Sequence, residues 1–173
     1  VILSPAAFVL RNKIIEIISK PEYQPGKKRP DGTEITFCNE GWERIERELG
    51  FDTSVLLEIQ GIGWTGATKI CDNAAAMAKI GKVWEVSPLQ AQLFANLYGI
   101  PVLAAARRKI DDKFHSSHVG TVAPTDSPWN PATGPDIGQC GSALVQGHHT
   151  AYDSFIKWGL NNPHYYILPL KAA

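Results

Sequence analysis

At Gly99 the apolar pattern of this chain changes period, and that change constrains the fold more than any other feature. Before it, apolar residues recur at helical spacing. In "PAAFVLRNKIIEIISK", residues 5–20, Phe8, Val9, Ile14, Ile15, Ile17 and Ile18 line up until Pro21 ends the run. "NEGWERIERELG" sets Trp42, Ile45 and Leu49 on one face and stops at Gly50. "TKICDNAAAMAKIG" reads as a helix ending at Gly81, and "SPLQAQLFANLYG" as one with Ser87 as N-cap, Pro88 in the first turn and Gly99 as C-cap. Beyond Gly99 the pattern is extended. "IPVLAAAR" (100–107), "SHVGTVAP" (117–124) and "IGQCGSA" (137–143) read as strands, and "HYYILPL" (164–170) alternates as a half-buried one. Helices first and strands after predict an α+β fold with an antiparallel sheet, not alternating α/β.

The stretches between these elements read as connections. Residues 21–32, "PEYQPGKKRPDG", and 126–136, "DSPWNPATGPD", are rich in proline, glycine and polar residues. "TEITF" is a short extended approach to the second helix. Residues 51–66 read as loop, and "DSFIKWGL" as a short helix or loop. "GHHTAYD" reads as a solvated loop, in which His148 and His149 face opposite ways and do not ligate together.

A chain of 173 residues has room for one real core, so a single domain is expected over 1–173. Residues 1–32 read as an N-terminal helix and loop, and 33–173 as the core. Seventeen basic residues balance seventeen acidic ones, which gives no electrostatic case for nucleic acid or an anionic membrane surface. The longest apolar runs, such as Ile100–Ala106, are too short to insert across a bilayer. The opening "VILSPAAFVL" has no basic residue before it and reads as a poor signal peptide.

The three cysteines, Cys38, Cys71 and Cys140, cannot all pair within the chain, so at least one thiol is free or pairs elsewhere. Cys71 reads as structural. No CxxC or HxxxH pair supports zinc, so no metal is expected. Cys38 stands at the start of the second helix. There the helix dipole favours thiolate, and the first N–H groups can serve an oxyanion. A thiol nucleophile also needs a base. Of the five histidines only His118 heads a confident strand, which fixes a side chain better than a loop does. The base needs an orienting partner in turn, and in an antiparallel sheet the neighbouring strand "IGQCGSA" supplies it.

"TFCN" opening a helix, then "SHVGTVAP", then "IGQCGSALVQG", then a closing aromatic strand, together resemble the papain-like peptidoglycan hydrolases. That group includes the NlpC-type endopeptidases, the CHAP amidohydrolase/peptidases found in phage lysins, and the cell-wall amidase effectors of type VI secretion. The pattern covers residues 36–170. The resemblance implies a papain-like cysteine hydrolase fold, with Cys38 as nucleophile and His118 as general base. The third residue falls at Cys140 or Gln139. Cys140 matches best the "CGS" register of the amidase effectors. Gln139 points to the other face of a regular strand, so one of the two meets His118. Ser117 stands where such enzymes usually carry glycine.

Asn39, Trp64, Asn73 and Ser117 are the substrate-contact candidates. Trp64 suits stacking on a sugar or peptide as well as plugging a core, and Asn73 suits a local hydrogen bond better than a cleft. What the resemblance implies is amide-bond cleavage in peptidoglycan by a Cys–His mechanism, as endopeptidase or amidase, with no cofactor. Action at the cell wall or periplasm follows, by an export route left open, with an immunity or inhibitor protein as a further partner. The competing readings are a non-catalytic wall- or protein-binding module on the same fold, and a thiol-dependent deamidase or transferase acting on proteins.

Overall fold

The computed structural model describes residues 2–26, 37–57, 66–107, 117–140 and 147–172. The helices are α1 (Pro5–Ile18), α2 (Cys38–Glu48), α3 (Ser54–Leu57), α4 (Ala67–Lys79), α5 (Pro88–Leu93) and α6 (Ala151–Ser154). The strands are β1 (Trp84–Val86), β2 (Leu103–Ala106), β3 (His118–Val122), β4 (Asp136–Gln139), β5 (Gly147–Thr150) and β6 (His164–Ile167). All six form one sheet in the order β1-β6-β2-β3-β4-β5, and every pairing is antiparallel.

Local chemistry accounts for the helix ends. Ser4 caps α1 by accepting from the Ala7 N–H at 3.1 Å. Ser87 and Gln90 form a reciprocal capping box at α5, which satisfies two donors that a helix start leaves orphaned. Beyond Leu93 that helix widens into a π turn, Phe94–Tyr98, and ends at Gly99 in the left-handed region (φ 62°). A side chain at Gly99 would also run into the Ala6 carbonyl, so this glycine lets α1 approach as well as ending a helix.

Both faces of the sheet are covered. Ala104, Ala106, Val122 and Ile137 belong to one buried cluster, with Leu10, Ile14 and Ile17 of α1 and with Phe155. Leu103, Ala105, Val119 and Tyr166 belong to a second, with Cys38 and Trp42 of α2 and Ile70 and Cys71 of α4. Neighbouring residues of β2 and β3 fall in different clusters, as the two-residue period of a strand requires. Each fully buried aliphatic or aromatic side chain contributes about 1.5–3 kcal/mol, which makes this two-sided burial the main force holding the sheet.

The α+β class and antiparallel sheet read from the sequence are observed, although β1 precedes α5 and α6 lies between β5 and β6. The four expected strands form, each shorter than its apolar stretch. Two further strands were not expected. Residues 84–86 make the edge strand β1, paired Trp84 to Ile167 and Val86 to Tyr165. "GHHT" forms β5 rather than a loop, with Ile137 opposite His149 and Gly138 opposite His148. Both are edge strands half exposed to water, and neither carries an apolar run to announce it. Residues 51–66 hold a helical turn, α3, where loop was expected; "TEITF" up to Thr36 lies outside the described residues. Among the described residues no helix is long and apolar enough to cross a membrane.

Candidate active site

Cys38 is the first residue of α2, and Gly41 N–H makes the helix's opening hydrogen bond, to the Phe37 carbonyl at 2.8 Å. Cys38 therefore stands at the N-terminal, positive end of the helix dipole. The Cys38 side chain is buried, 4% exposed, and burial alone pushes a thiol up. Against that burial stand the His118 ring, which hydrogen-bonds the sulfur, and the backbone groups of Val119 and Asn39. Together they hold the Cys38 thiol below its ordinary value of 9.0. His118 shows the reciprocal effect. Burial pushes its imidazole down, but the Cys38 sulfur and the Gln139 side chain raise it above 6.5. Each group thus favours the charged form of the other, in a site largely closed to water.

Strand register decides which side chain meets His118. His118 heads β3 and Gln139 ends β4, where Thr121 lies opposite Gly138. His118 and Gln139 therefore share a face, one step apart across Gly120. The glycine is needed there, since a Cβ at Gly120 would sit 2.6 Å from Ile137 Cγ2 and 3.3 Å from Gln139 Cβ. The Gln139 amide crosses this gap, and its Oε1 meets His118 Nε2. Gln139 Nε2 donates in turn to Ser154 Oγ at 2.9 Å. Phe155 packs against the His118 ring, with centroids 5.5 Å apart and planes tilted by 53°.

Cys140, put first by the sequence resemblance, points elsewhere. Its sulfur lies on Gly41 of α2, so close that a side chain at Gly41 would collide with it. Its thiol is pushed up to about 12 by burial and by the nearby Cys38 charge. Cys71 is raised to about 12 for the same two reasons. Among the described residues, Cys38 is the thiol whose sulfur a histidine ring hydrogen-bonds.

The remaining candidates divide. Asn39 is half-buried in the first turn of α2, with its backbone against the Cys38 sulfur. Asn73 is buried and donates to the Leu56 carbonyl at 2.6 Å, which ties α4 to α3 rather than lining a cleft. Ser117 is 2% exposed and accepts from Thr68 Oγ1 at 2.9 Å. Its hydroxyl joins the residue before β3 to α4 and does not open to solvent. Trp64 lies outside the described residues. Ser154 and Phe155 were missed. They sit in "DSFIKWGL", whose short polar-apolar mixture carries no sign that it reaches the residue after "IG" on a distant strand.

A cavity of about 690 Å³ lies beside the pair, walled by Cys71, Ala105, Arg107, Trp84, His164 and Tyr166 among others. Neither Cys38 nor His118 lines it, but Ala105 pairs with Val119, and Ala106 with His118. The cavity therefore begins one strand away from the base. At its margins Arg107 pairs with Asp72, and His164 Nδ1 meets Glu85 Oε1 at 2.6 Å. Among the described residues no cluster of histidine, cysteine, aspartate or glutamate suits a metal ion.

Further along the same helix face, Glu46 is fully buried. Its Oε1 accepts from Trp42 Nε1 at 3.1 Å, and its Oε2 has no hydrogen-bond partner among the described residues. Burial pushes this carboxyl up to about 8, opposed only by the Trp42 bond, so it is mostly protonated at neutral pH.

No protein-family model matches the chain, and neither a curated protein nor a solved structure does. The geometry of the site is thus the main support for a function.

Proposed function

We propose that the chain is a cysteine-dependent amide hydrolase with a papain-like arrangement, acting on peptidoglycan. The observation that carries the reading is the chain of contacts Cys38–His118–Gln139 at the head of α2. A buried thiol held below its ordinary value by a facing histidine is the arrangement a thiol nucleophile needs. The order of parts, with thiol on a helix, base on one strand and orienting residue on the next, is what the sequence resemblance implies. Peptidoglycan as substrate rests on that resemblance. The adjoining cavity falls in the size range of small-ligand sites and supports a short peptide as the bound group.

In this reading the Cys38 thiolate attacks the carbonyl carbon of the scissile amide. Negative charge gathers on the carbonyl oxygen, and N–H groups at the start of α2 stabilise it. The His118 imidazolium gives its proton to the amide nitrogen, the C–N bond breaks, and the amine leaves. The acyl group stays on sulfur as a thioester. Neutral His118 then takes a proton from water, and the hydroxide oxygen attacks the thioester carbon. Carboxylic acid departs, and the thiolate–imidazolium pair is restored. Gln139 holds the imidazole throughout.

The test is turbidity loss of purified sacculi with the wild-type chain and with Cys38→Ala, followed by mass analysis of the released fragments. Clearing by the wild type alone is expected, and fragment masses identify an endopeptidase or an amidase. No clearing, with Cys38 quick to alkylate, would discard the substrate and keep the enzyme. No clearing with a slow Cys38 would favour a binding module.

A further inference from the structure

The cavity of about 690 Å³ beside the pair has an apolar floor and a rim whose uncommitted groups are cationic. On the reading that Cys38 is a nucleophile toward peptides, we propose that this cavity binds an anionic flank of the substrate, with its stem on the floor and free carboxylates at Arg107 and Lys79.

The placement follows from α4 and the sheet. Cys71, Ala75, Ala78 and Lys79 line the cavity from one face of α4. At 1.5 Å of rise per residue the cavity therefore extends about 12 Å along the helix. Cys71 marks the end nearer the thiol, since the Cys38 charge acts on it. The sheet leads to the same end. The Val119 backbone hydrogen-bonds the Cys38 sulfur, and Val119 pairs with Ala105 of the cavity floor. Neighbouring strands lie about 4.8 Å apart, and an extended peptide advances about 3.3 Å per residue. A scissile carbonyl at Cys38 thus sets the next three or so residues of the substrate over the cavity.

The rim decides the charge of the ligand. Two carboxylates stand there, and each already has a partner: Asp72 meets Arg107, and Glu85 Oε1 meets His164 Nδ1 at 2.6 Å. The surplus lies with the donors. The Lys79 ammonium makes no ion pair or hydrogen bond among the described residues. The Arg107 guanidinium carries five N–H groups, and the two oxygens of Asp72 leave part of that fork free. Its charge acts on both the Cys71 thiol and the Tyr166 hydroxyl, so it overhangs the floor between them. A cationic peptide would meet the reverse: a Glu85 already engaged, and an unopposed Lys79. Arg107 and Glu85 are half-exposed, so each contact is modest in strength and weakened by salt.

The test is calorimetric binding of two peptides to the Cys38→Ala chain, which leaves them uncut. One is a stem tetrapeptide of peptidoglycan with its carboxylates free; the other is the same peptide with those groups converted to carboxamides. The free acid is expected to bind about tenfold tighter at low salt, with the advantage shrinking to about twofold near 0.5 M salt. Adding Lys79→Met should weaken the free acid about threefold and move the carboxamide less than about twofold, while Lys79→Arg restores binding. Glu85→Gln should tighten the free acid by up to about twofold, because it removes a like charge. Melting curves should coincide for the Lys79 variants, whose side chain is exposed. Equal affinity for the two peptides, or an unmoved affinity in Lys79→Met, would overturn this inference alone. A loss in Glu85→Gln would overturn it in favour of a cationic ligand. Binding of neither peptide, with sacculi still cleared by the wild type, would discard the cavity and keep the hydrolase. Binding of neither, with no clearing, would remove both.

Discussion

Cys38 and Glu46 lie two turns apart on one face of α2, with Trp42 between them, and both are buried. Burial acts on the two groups in the same sense: it disfavours the charged form. The outcomes are opposite. Cys38 faces His118 and is held below its ordinary value, whereas Glu46 faces only an indole N–H and is pushed up to about 8. The opposite shifts at the two ends of this helix therefore come from the facing side chain, not from depth in the core. The helix dipole adds to the contrast, since Cys38 stands at its positive end and Glu46 near its negative one.

The strongest way to break the contrast is to take away the base. His118→Ala should leave burial at Cys38 opposed only by the Val119 and Asn39 backbone groups, so its thiol rises. Amide cleavage should fall by roughly 10³-fold, and alkylation at neutral pH should fall with it. A variant that alkylates like the wild type would show that the helix start suffices without the ring.

The Glu46 end offers a stability test. Its carboxyl is raised in the folded chain from 4.5 to about 8, so between those values the folded state holds a proton that the unfolded state releases. Stability should be full below pH 4.5 and decline as pH rises toward 8, by on the order of 5 kcal/mol. Glu46→Gln keeps an oxygen for Trp42 Nε1 and removes the titration. Denaturant midpoints across that window should then lose this downward slope. A slope that persists would place its origin in another group.

A smaller effect separates the two ends mechanically. Gly41→Ala drives a methyl into the Cys140 sulfur and should cost about 1–3 kcal/mol. Cys140→Ala in the same chain should recover part of that loss, because it removes the colliding atom. The Glu46 slope should be unaffected in both, and a changed slope would mean that α2 moves as a rigid rod.

Much of the scaffold was legible because it depends on local signals. The capping serine at 87, the stop at Gly99 and the apolar run of β2 each declare themselves within a few residues. The position of Cys38 at a helix start and of His118 at a strand head was legible for the same reason. What was not legible depends on partners far along the chain. The strands β1 and β5 are short edges whose pairing comes from β6 and β4. The choice between Gln139 and Cys140 is one of parity, and one residue of register decides it. Glu46 reads as a solvated residue on a charged helix, and only the packing around Trp42 shows it buried. Ser154 is tied to its partner by a contact that sequence spacing does not encode.

The sheet order has a consequence for how the molecule comes into being. β6, last of the strands in the chain, lies between β1 and β2. Until residues 164–167 leave the ribosome, β1 has no neighbour and β2 shows a bare backbone edge of leucine and alanine. Such a sheet closes late and through distant contacts, which makes for slow folding and an intermediate with a sticky edge. The nascent chain thus carries its thiol for most of synthesis on an unfinished support, and the strand that completes the sheet also sets the moment at which the site can first be assembled.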